Sequence, residues 1–183
     1  MSAALTVIAV PAPSRIDDVT SALRTLVESA DGARRAAPDG PVGAAPQSAD
    51  AVRTWAVLGE LVTDDAGAVD ENQRAVAHDL VGRLAVRLAV DKVLCVGSSR
   101  AVRALYQGTV MEGSWGDEVR MASSATEALE ILGTDPEWMP QPGDTVLLAA
   151  PGVPVQQLAD RWRQRFGHEV TLRPALPDAG TNE

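Results

Sequence analysis

Two short apolar runs, separated by a long helical segment, constrain the fold of this chain more than any other feature. The runs occupy residues 55–58 and 93–96, and each is followed by a glycine, Gly59 and Gly97. An apolar run without polar alternation is typical of a strand that is covered on both faces of a parallel sheet. A strand, a helix and a second strand in this order predict a right-handed crossover unit. The chain is therefore expected to be an α/β protein.

The rest of the chain repeats this alternation of strand and helix patterns. We expect strands at about residues 6–10, 55–58, 91–96, 119–121, 144–149 and 169–172, and helices at about residues 15–28, 72–88, 124–132 and 155–166, with one more after Ser98 or Ser99 to about residue 107. The pattern predicts a three-layer, Rossmann-like α/β fold with a mostly parallel sheet of about six strands. Val7, Val57, Cys95 and Leu147 are expected on interior strands.

Two segments without periodicity indicate the domain organisation. Residues 29–50 are rich in Ala, Pro, Gly and Asp, which predicts a flexible insertion inside a single domain of residues 1–173. Residues 174–183 are expected to form a disordered tail.

Local signals mark several helices. Ser14 is a candidate N-cap for the first helix, and Ser124 with Glu127 has the capping-box spacing. In the helix predicted at residues 72–88, four aliphatic residues share one face, namely Val76, Leu80, Leu84 and Leu88.

Composition excludes some classes of function. The net charge is −9, and the 16 basic residues form no stripe among the 25 acidic ones, which argues against a nucleic-acid partner. No apolar run approaches the roughly 18 residues of a membrane span. The first ten residues lack a basic start and read as a strand rather than a signal peptide, so the cytoplasm is the expected location. The single cysteine, Cys95, is predicted to be a buried and inert thiol.

Four sequence segments carry a resemblance to a known family. They are RTWAVLGE, HDLVGRLAVRL, the glycine after VLCV, and EGSWGDEV. With these segments the chain resembles the C-terminal domain of the Mur ligases, ATP-dependent enzymes of peptidoglycan synthesis, and within them the branch that adds D-alanyl-D-alanine. The resemblance covers about residues 5–165 and one of the three domains of the family. It implies a Rossmann-like fold and a role in cell-wall precursor synthesis.

The segments that bind nucleotide and substrate in the family differ in sequence from the corresponding segments of this chain. No GxxxxGK[ST] phosphate loop occurs in the sequence, and its one lysine, Lys92, begins a predicted strand. After the first strand, the family carries an aspartate-alanine-tyrosine-asparagine-alanine-asparagine-proline segment that helps to seat the nucleotide, where this chain has VPAPSRI at residues 10–16. After the late strand, the family carries lysine, glycine or alanine, serine and arginine, where this chain has AAPG at residues 149–152.

These losses lead to two alternative functions. In the first, the chain is a stand-alone, catalytically inactive relative that binds a protein or a small ligand. In the second, it is the C-terminal part of a split D-alanyl-D-alanine-adding ligase. In either case we expect no catalytic residue and no cofactor for the isolated chain, and the partner is predicted to be a ligase or another cell-wall synthesis protein.

Any retained site is expected at the carboxyl ends of the strands, where ligands bind in doubly wound sheets. The predicted crevice is bordered by Ser14, Glu60, His78, Ser98 and Arg100. Glu60 and His78 are either a ligand-binding or acid–base pair or structural residues.

The sequence also bears on an anion site, a metal site and an interface. The segment from Gly97 to Arg100 either binds an anion or caps a helix. No metal site is expected, because His78 and His168 lack ligand-spaced companions. Trp115 and Trp138 are either interface anchors or packing residues.

Overall fold

A computed structural model describes residues 4–36, 52–63, 70–113, 116–167 and 169–175. The described residues form a six-stranded, all-parallel sheet in the order β4-β3-β2-β5-β1-β6. The elements in chain order are β1 (Leu5–Ala9), α1 (Ile16–Ala36), β2 (Thr54–Leu58), α2 (Glu71–Arg87), β3 (Lys92–Val96), α3 (Arg100–Glu112), β4 (Val119–Ala122), α4 (Ala125–Thr134), β5 (Thr145–Ala149), α5 (Val155–Phe166) and β6 (Val170–Pro174). The predicted three-layer α/β fold is confirmed.

The direction of each connection decides which face its helix covers. From β1 to β4 the chain moves toward one edge of the sheet, and from β4 to β6 it moves back toward the other. Because such crossovers are right-handed, α1, α2 and α3 cover one face, and α4 and α5 cover the other. The two faces have separate apolar cores, one with residues of α1 to α3 and one with residues of α4 and α5.

The interior strands are those with continuous apolar runs. Every residue of β2 and β5 is buried. Val7, Val57, Cys95 and Leu147 lie on β1, β2, β3 and β5, which are all interior, as predicted. No helix among the described residues has the length and apolar character that a membrane crossing requires.

A buried carboxylate joins the amino ends of the two central strands. Asp144, directly before β5, accepts hydrogen bonds from the Arg53 and Gln141 amides at 2.9 and 2.8 Å and from the Trp55 indole at 2.8 Å. The Arg53 guanidinium lies 3.7 Å from the same carboxylate. Burial raises the pKa of Asp144, while these hydrogen bonds oppose the shift.

Three of the four tryptophans can be placed, and all three are packing residues. Trp55 and Trp138 meet edge to face with ring centroids 6.2 Å apart. The buried Trp162 donates its indole N–H to the carbonyl of Leu132 at 2.8 Å. Trp115, the other proposed interface anchor, lies outside the described residues.

Helices α2 and α3 approach closely through two glycines. A Cβ on Gly82 would overlap the carbonyl oxygen of Leu105, and one on Gly108 would overlap the carbonyl of Asp79. Arg83 of α2 also links the two helices through a hydrogen bond to Glu112 of α3 at 3.1 Å, and Asp79 of its own helix accepts from the same guanidinium at 2.7 Å. The pair therefore packs backbone against backbone.

This packing overturns the face expected from the aliphatic residues of α2. The buried residues of α2 are His78, Val81, Gly82 and Ala85. Val76 and Leu80 are instead exposed, and Leu84 and Leu88 are only partly buried. The face was misassigned because Gly82 and Ala85 provide close contacts on the buried side, while Val76 and Leu80 point outward.

The first helix is longer than predicted. It continues from the predicted end at residue 28 to Ala36, and Ala30 is buried in the core. The start of the predicted insertion is therefore helical, and residues 37–51 lie outside the described residues. Strand β6 likewise continues to Pro174 rather than ending at residue 172, and Ala175 is buried. Residues 176–183 of the predicted tail are not described.

Two predicted caps differ in their partners. The Ser14 hydroxyl donates to the carbonyl of Pro11 at 3.4 Å instead of capping α1. Ser124 does cap α4, by accepting from the Glu127 amide at 3.2 Å, but the Glu127 carboxylate accepts from Ser123. The full capping box of the described residues is at the start of α2, between Asp70 and Gln73.

Gly82→Ala is expected to lower the free energy of unfolding by about 1–3 kcal/mol, because the added methyl group must separate α2 from α3. Gly32→Ala is the matched control, since a Cβ at that position of α1 meets nothing within 4 Å. The control should be neutral or stabilising by up to about 1 kcal/mol. Urea denaturation measures both, and an equal effect of the two substitutions would contradict the backbone contact.

Candidate functional site

The sheet changes the direction of its connections at β5. The chain leaves β1 and β2 toward α1 and α2 on one face, whereas it leaves the intervening β5 toward α5 on the other. The loops at the carboxyl ends of these strands therefore diverge, and a crevice opens between them, as in other doubly wound sheets.

The crevice between the ends of β1 and β5 has a volume of about 230 Å³. Its lining residues are almost all apolar or glycine: Ala9, Val10, Pro11, Ala12, Ser14, Leu148, Ala150, Pro151, Gly152, Val153 and Val155. Ser14 provides the one polar side chain of this lining, and its hydroxyl already donates to Pro11. The crevice therefore offers no charged side chain to a ligand.

The side of the crevice toward β2 is closed by a tight loop contact. The amide of Gly59 donates to the carbonyl of Ala149 at 3.0 Å. A Cβ on Gly59 would lie 2.9 Å from the Cδ atom of Pro151. Glycine at this position thus lets the loop after β2 lie directly against the loop after β5.

His78 of α2 is hydrogen-bonded to the loop after β2. Its Nε2 accepts a hydrogen bond from the Leu61 amide at 2.9 Å, and its Nδ1 lies 2.8 Å from the carbonyl of Arg74. Because Nε2 must accept, the proton is on Nδ1 and is donated to Arg74. The imidazole is fully buried and both nitrogens are occupied. These contacts support the structural interpretation of His78 rather than the acid–base one.

Burial lowers the pKa of His78, although its hydrogen bond to Arg74 and the nearby carboxylate of Glu60 oppose the shift. The neutral imidazole is the form that can accept from Leu61. A depressed pKa therefore keeps the ring in the form that the loop requires.

The other predicted site residues form a polar rim around α2. Glu60 is exposed and lies 3.7 Å from Arg74, and Arg100 lies 4.0 Å from Glu71. Ser98 is exposed. Ser99, not Ser98, caps α3 by accepting from the Val102 amide at 3.3 Å, which accounts for the turn before Arg100 by capping.

The five predicted residues are thus divided between two environments. Ser14 lines the apolar crevice, and its carbonyl accepts from the Val62 amide at 2.8 Å, which links it to the loop after β2. His78 lies beneath that loop, while Glu60, Ser98 and Arg100 face solvent. The structure connects Ser14 and His78 through the backbone of one loop rather than through a shared ligand pocket.

Sequence reasoning missed a larger groove beside the crevice. It has a volume of about 500 Å³ and lies between the ends of β1 and β6 and the start of α5. It shares Ala9, Pro11 and Val155 with the first crevice, and it adds the polar side chains of Gln156 and Arg173. Its only signal in the sequence was the final edge strand, whose neighbour could not be identified without the topology.

The residue types that could ligate a metal or act as a nucleophilic thiol lie apart or are buried in the described part of the chain. The described residues contain no cluster of three or more metal-ligating side chains. Cys95 is buried, and burial raises the pKa of its thiol far above its ordinary value. His168 lies outside the described residues.

About half of the chain is similar to curated ligases. The chain is 41% identical over 98 residues to the UDP-N-acetylmuramoyl-tripeptide–D-alanyl-D-alanine ligase of Mycobacterium leprae. This match covers 54% of the chain and 17% of that enzyme. The chain is 35% identical over 105 residues to the ligase of the same name from Mycobacterium tuberculosis, covering 54% and 19%. No family model matches the chain, and no solved structure is significantly similar.

These relatives confirm the resemblance noted in the sequence: the chain is Mur ligase-like. The chain spans less than a fifth of the length of the relatives it matches, so their complete activity does not pass to it with the similarity.

The stability of the fold is expected to decrease as the pH falls below about 6.5, the pKa of an unperturbed histidine. The folded-state pKa of His78 is depressed, so the unfolded chain takes up this proton first and acid favours unfolding. The limiting slope of the unfolding free energy against pH is about 1.4 kcal/mol per pH unit.

A His168→Gln background leaves residue 78 as the only histidine. Adding His78→Gln should remove the pH dependence near pH 6, and an unchanged slope in urea denaturation would refute this role.

Proposed function

We propose that this chain is a Mur ligase-like domain that serves peptidoglycan precursor synthesis in the cytoplasm as a non-catalytic binding protein. It acts by contact with a partner protein, such as a ligase or another cell-wall synthesis protein, or with a small ligand. Two findings support the proposal. The chain is similar to UDP-N-acetylmuramoyl-tripeptide–D-alanyl-D-alanine ligases over about half of its length, and the lining of the crevice at the switch point has no charged side chain.

The composition of the crevice is the observation that carries the proposal. The resemblance implies that, in the family, the segment after the first strand carries carboxylate and amide side chains toward the nucleotide, and the segment after the late strand carries lysine and arginine toward the substrates. The corresponding segments here provide Pro11, Ala150 and Pro151 to the crevice. Apolar side chains cannot stabilise the charge that develops when an acyl phosphate forms or breaks down.

The nucleotide implied by the family does not fit these residues. Phosphate groups require backbone amides, a lysine or arginine, and oxygen ligands for magnesium. The lining of the crevice contains no cation and no carboxylate, and the hydroxyl of Ser14 is already used within its own turn. We therefore assign no catalytic step to this crevice.

A split ligase is the second candidate function, and the polar rim favours it. Glu60, Arg74, Glu71 and Arg100 remain at the carboxyl side of β2 and β3, where a second polypeptide with nucleotide-binding and substrate domains would meet this domain. Both ion pairs are solvent-exposed, so reorganising them for such a partner costs little.

The chain alone is expected neither to bind magnesium–ATP tightly nor to hydrolyse it, because the crevice provides no phosphate ligands. Isothermal titration with magnesium–ATP and an assay of phosphate release are the measurements. A complete ligase of the D-alanyl-D-alanine-adding branch is the positive control. A micromolar dissociation constant for this chain would refute the proposed loss of nucleotide binding.

A reconstitution experiment separates the two candidate functions. The Mycobacterium leprae ligase without the segment that matches this chain is mixed with UDP-N-acetylmuramoyl-tripeptide, D-alanyl-D-alanine and ATP. The excised segment of that ligase, added back, is the matched positive control. The control is expected to restore phosphate release. Under the proposed function, phosphate release with this chain added should stay at the rate of the truncated ligase alone. Restoration by this chain would establish the split-ligase function instead.

A further inference from the structure

The loop after β2, residues 59–62, is hydrogen-bonded to segments on both sides of the crevice. The first amide of this loop donates to the carbonyl of Ala149 at 3.0 Å. At the other end, the amide of Val62 donates to the carbonyl of Ser14 at 2.8 Å, and the carbonyl of Val62 accepts from the amide of Ile16 at 3.0 Å. Ser14 lines the crevice, so a movement of the loop removes a support of the crevice wall.

His78 is the side chain that ties the middle of this loop to α2. Its Nε2 accepts from the Leu61 amide at 2.9 Å, and its Nδ1 donates to the carbonyl of Arg74. A protonated imidazole carries a hydrogen on both nitrogens and accepts at neither. Protonation would therefore set the Nε2–H group against the N–H group of Leu61 across the same 2.9 Å. The cationic ring and the closed loop exclude each other.

The loop is held by fewer buried contacts than the strand that precedes it. Glu60 and Val62 are exposed, and Leu61 is the large buried side chain of the loop, with 2% exposure. Every residue of β2 is buried. Segments with few buried apolar contacts open at a lower free energy than the core of a domain. The loop can therefore open while the sheet stays folded.

The surroundings of His78 determine the direction in which pH moves the loop. Burial lowers the pKa of His78 most strongly, and the guanidinium of Arg74 on α2 also lowers it, whereas the hydrogen bond to the Arg74 carbonyl and the carboxylate of Glu60 on the loop raise it. Once the loop has opened and the ring meets water, the ring takes up a proton near its ordinary pKa of about 6.5. Falling pH thus shifts the loop from closed toward open.

We propose that His78 is a proton-operated latch: uptake of a proton from solvent at Nε2 releases the loop after β2 from α2 and, through Val62, frees the loop from Ser14 at the crevice. The sheet remains folded in the released state, and the crevice loses one of its supports. The inference goes beyond the proposed function and does not depend on it, because the latch acts on the crevice whatever the crevice binds.

Amide hydrogen exchange of the full chain, followed by NMR between about pH 4.5 and 7.5, tests the latch. The protection factors of the Leu61 and Val62 amides are expected to fall by up to about tenfold for each pH unit below about 6.5, because the open loop takes up one proton. Both amides should be less protected than the amides of β2. A low concentration of urea should leave their protection unchanged, because opening of the loop exposes little surface.

Two variants assign the effect to His78. His78→Gln removes the titrating group and should abolish the pH dependence at both amides. Glu60→Gln changes an exposed residue, and without this carboxylate the folded-state pKa of His78 falls further, so the loss of protection should continue to lower pH than in the wild type. Glu130→Gln makes the same charge change at an exposed position of α4 in the other layer, and this control should behave like the wild type.

Three results would overturn the proposal. The first is a protection of the Leu61 and Val62 amides that does not change with pH. The second is exchange of these amides only together with those of β2 and with the same dependence on urea, which is global unfolding. The third is a pH dependence that persists in His78→Gln. If that variant does not fold, an unchanged pH profile in Glu60→Gln decides against the latch.

Discussion

The buried carboxylate of Asp144 is the interaction on which the arrangement of the sheet depends. It collects the backbone amides of Arg53 and Gln141 and the indole of Trp55, so it connects the start of β2 with the start of β5 across 91 residues of sequence. A buried charge without such partners costs several kcal/mol. A slip of one residue between β2 and β5 would separate the carboxylate from its donors and turn every side chain of the strand to the other face. Because β2 and β5 are central, their register positions the strands on either side.

At the opposite end of the same strands, the backbone itself closes the structure. The loop after β2 is held by Ala149, His78 and Ser14, and glycine at position 59 allows the closest of these contacts. The same contacts explain the chemistry of the crevice. Loops that satisfy each other through backbone hydrogen bonds need no polar side chains between them, and the space that remains is lined by alanine, proline and valine. A region that binds ligands in many α/β folds is here closed on one side by direct contact between the loops after β2 and β5.

The sequence predicted the positions of helices and strands better than the contacts that their side chains make. Helix α5 was placed at its observed bounds, and the interior strands were identified, because continuous apolar runs and amphipathic spacing report burial directly. The outward face of α2 was missed, because the close contact with α3 is made by Gly82 and Gly108, which carry no hydrophobic signal. The predicted crevice combined residues that follow different strands. The hydrogen-bond partners of His78, the amide of Leu61 and the carbonyl of Arg74, could not be derived from spacing alone.

The segments that carry the resemblance to the ligases have structural tasks in this molecule. Within RTWAVLGE, Arg53 and Trp55 bind the carboxylate of Asp144, and Gly59 permits the contact between loops. Within HDLVGRLAVRL, His78 holds the loop after β2, and Gly82 allows α3 to approach. Every buried side-chain nitrogen or oxygen atom of the described residues has a hydrogen-bond partner. Similarity in these segments therefore reports a shared fold. It is fully compatible with a domain whose catalytic contribution has been lost, because the residues that preserve the resemblance are those that the packing requires.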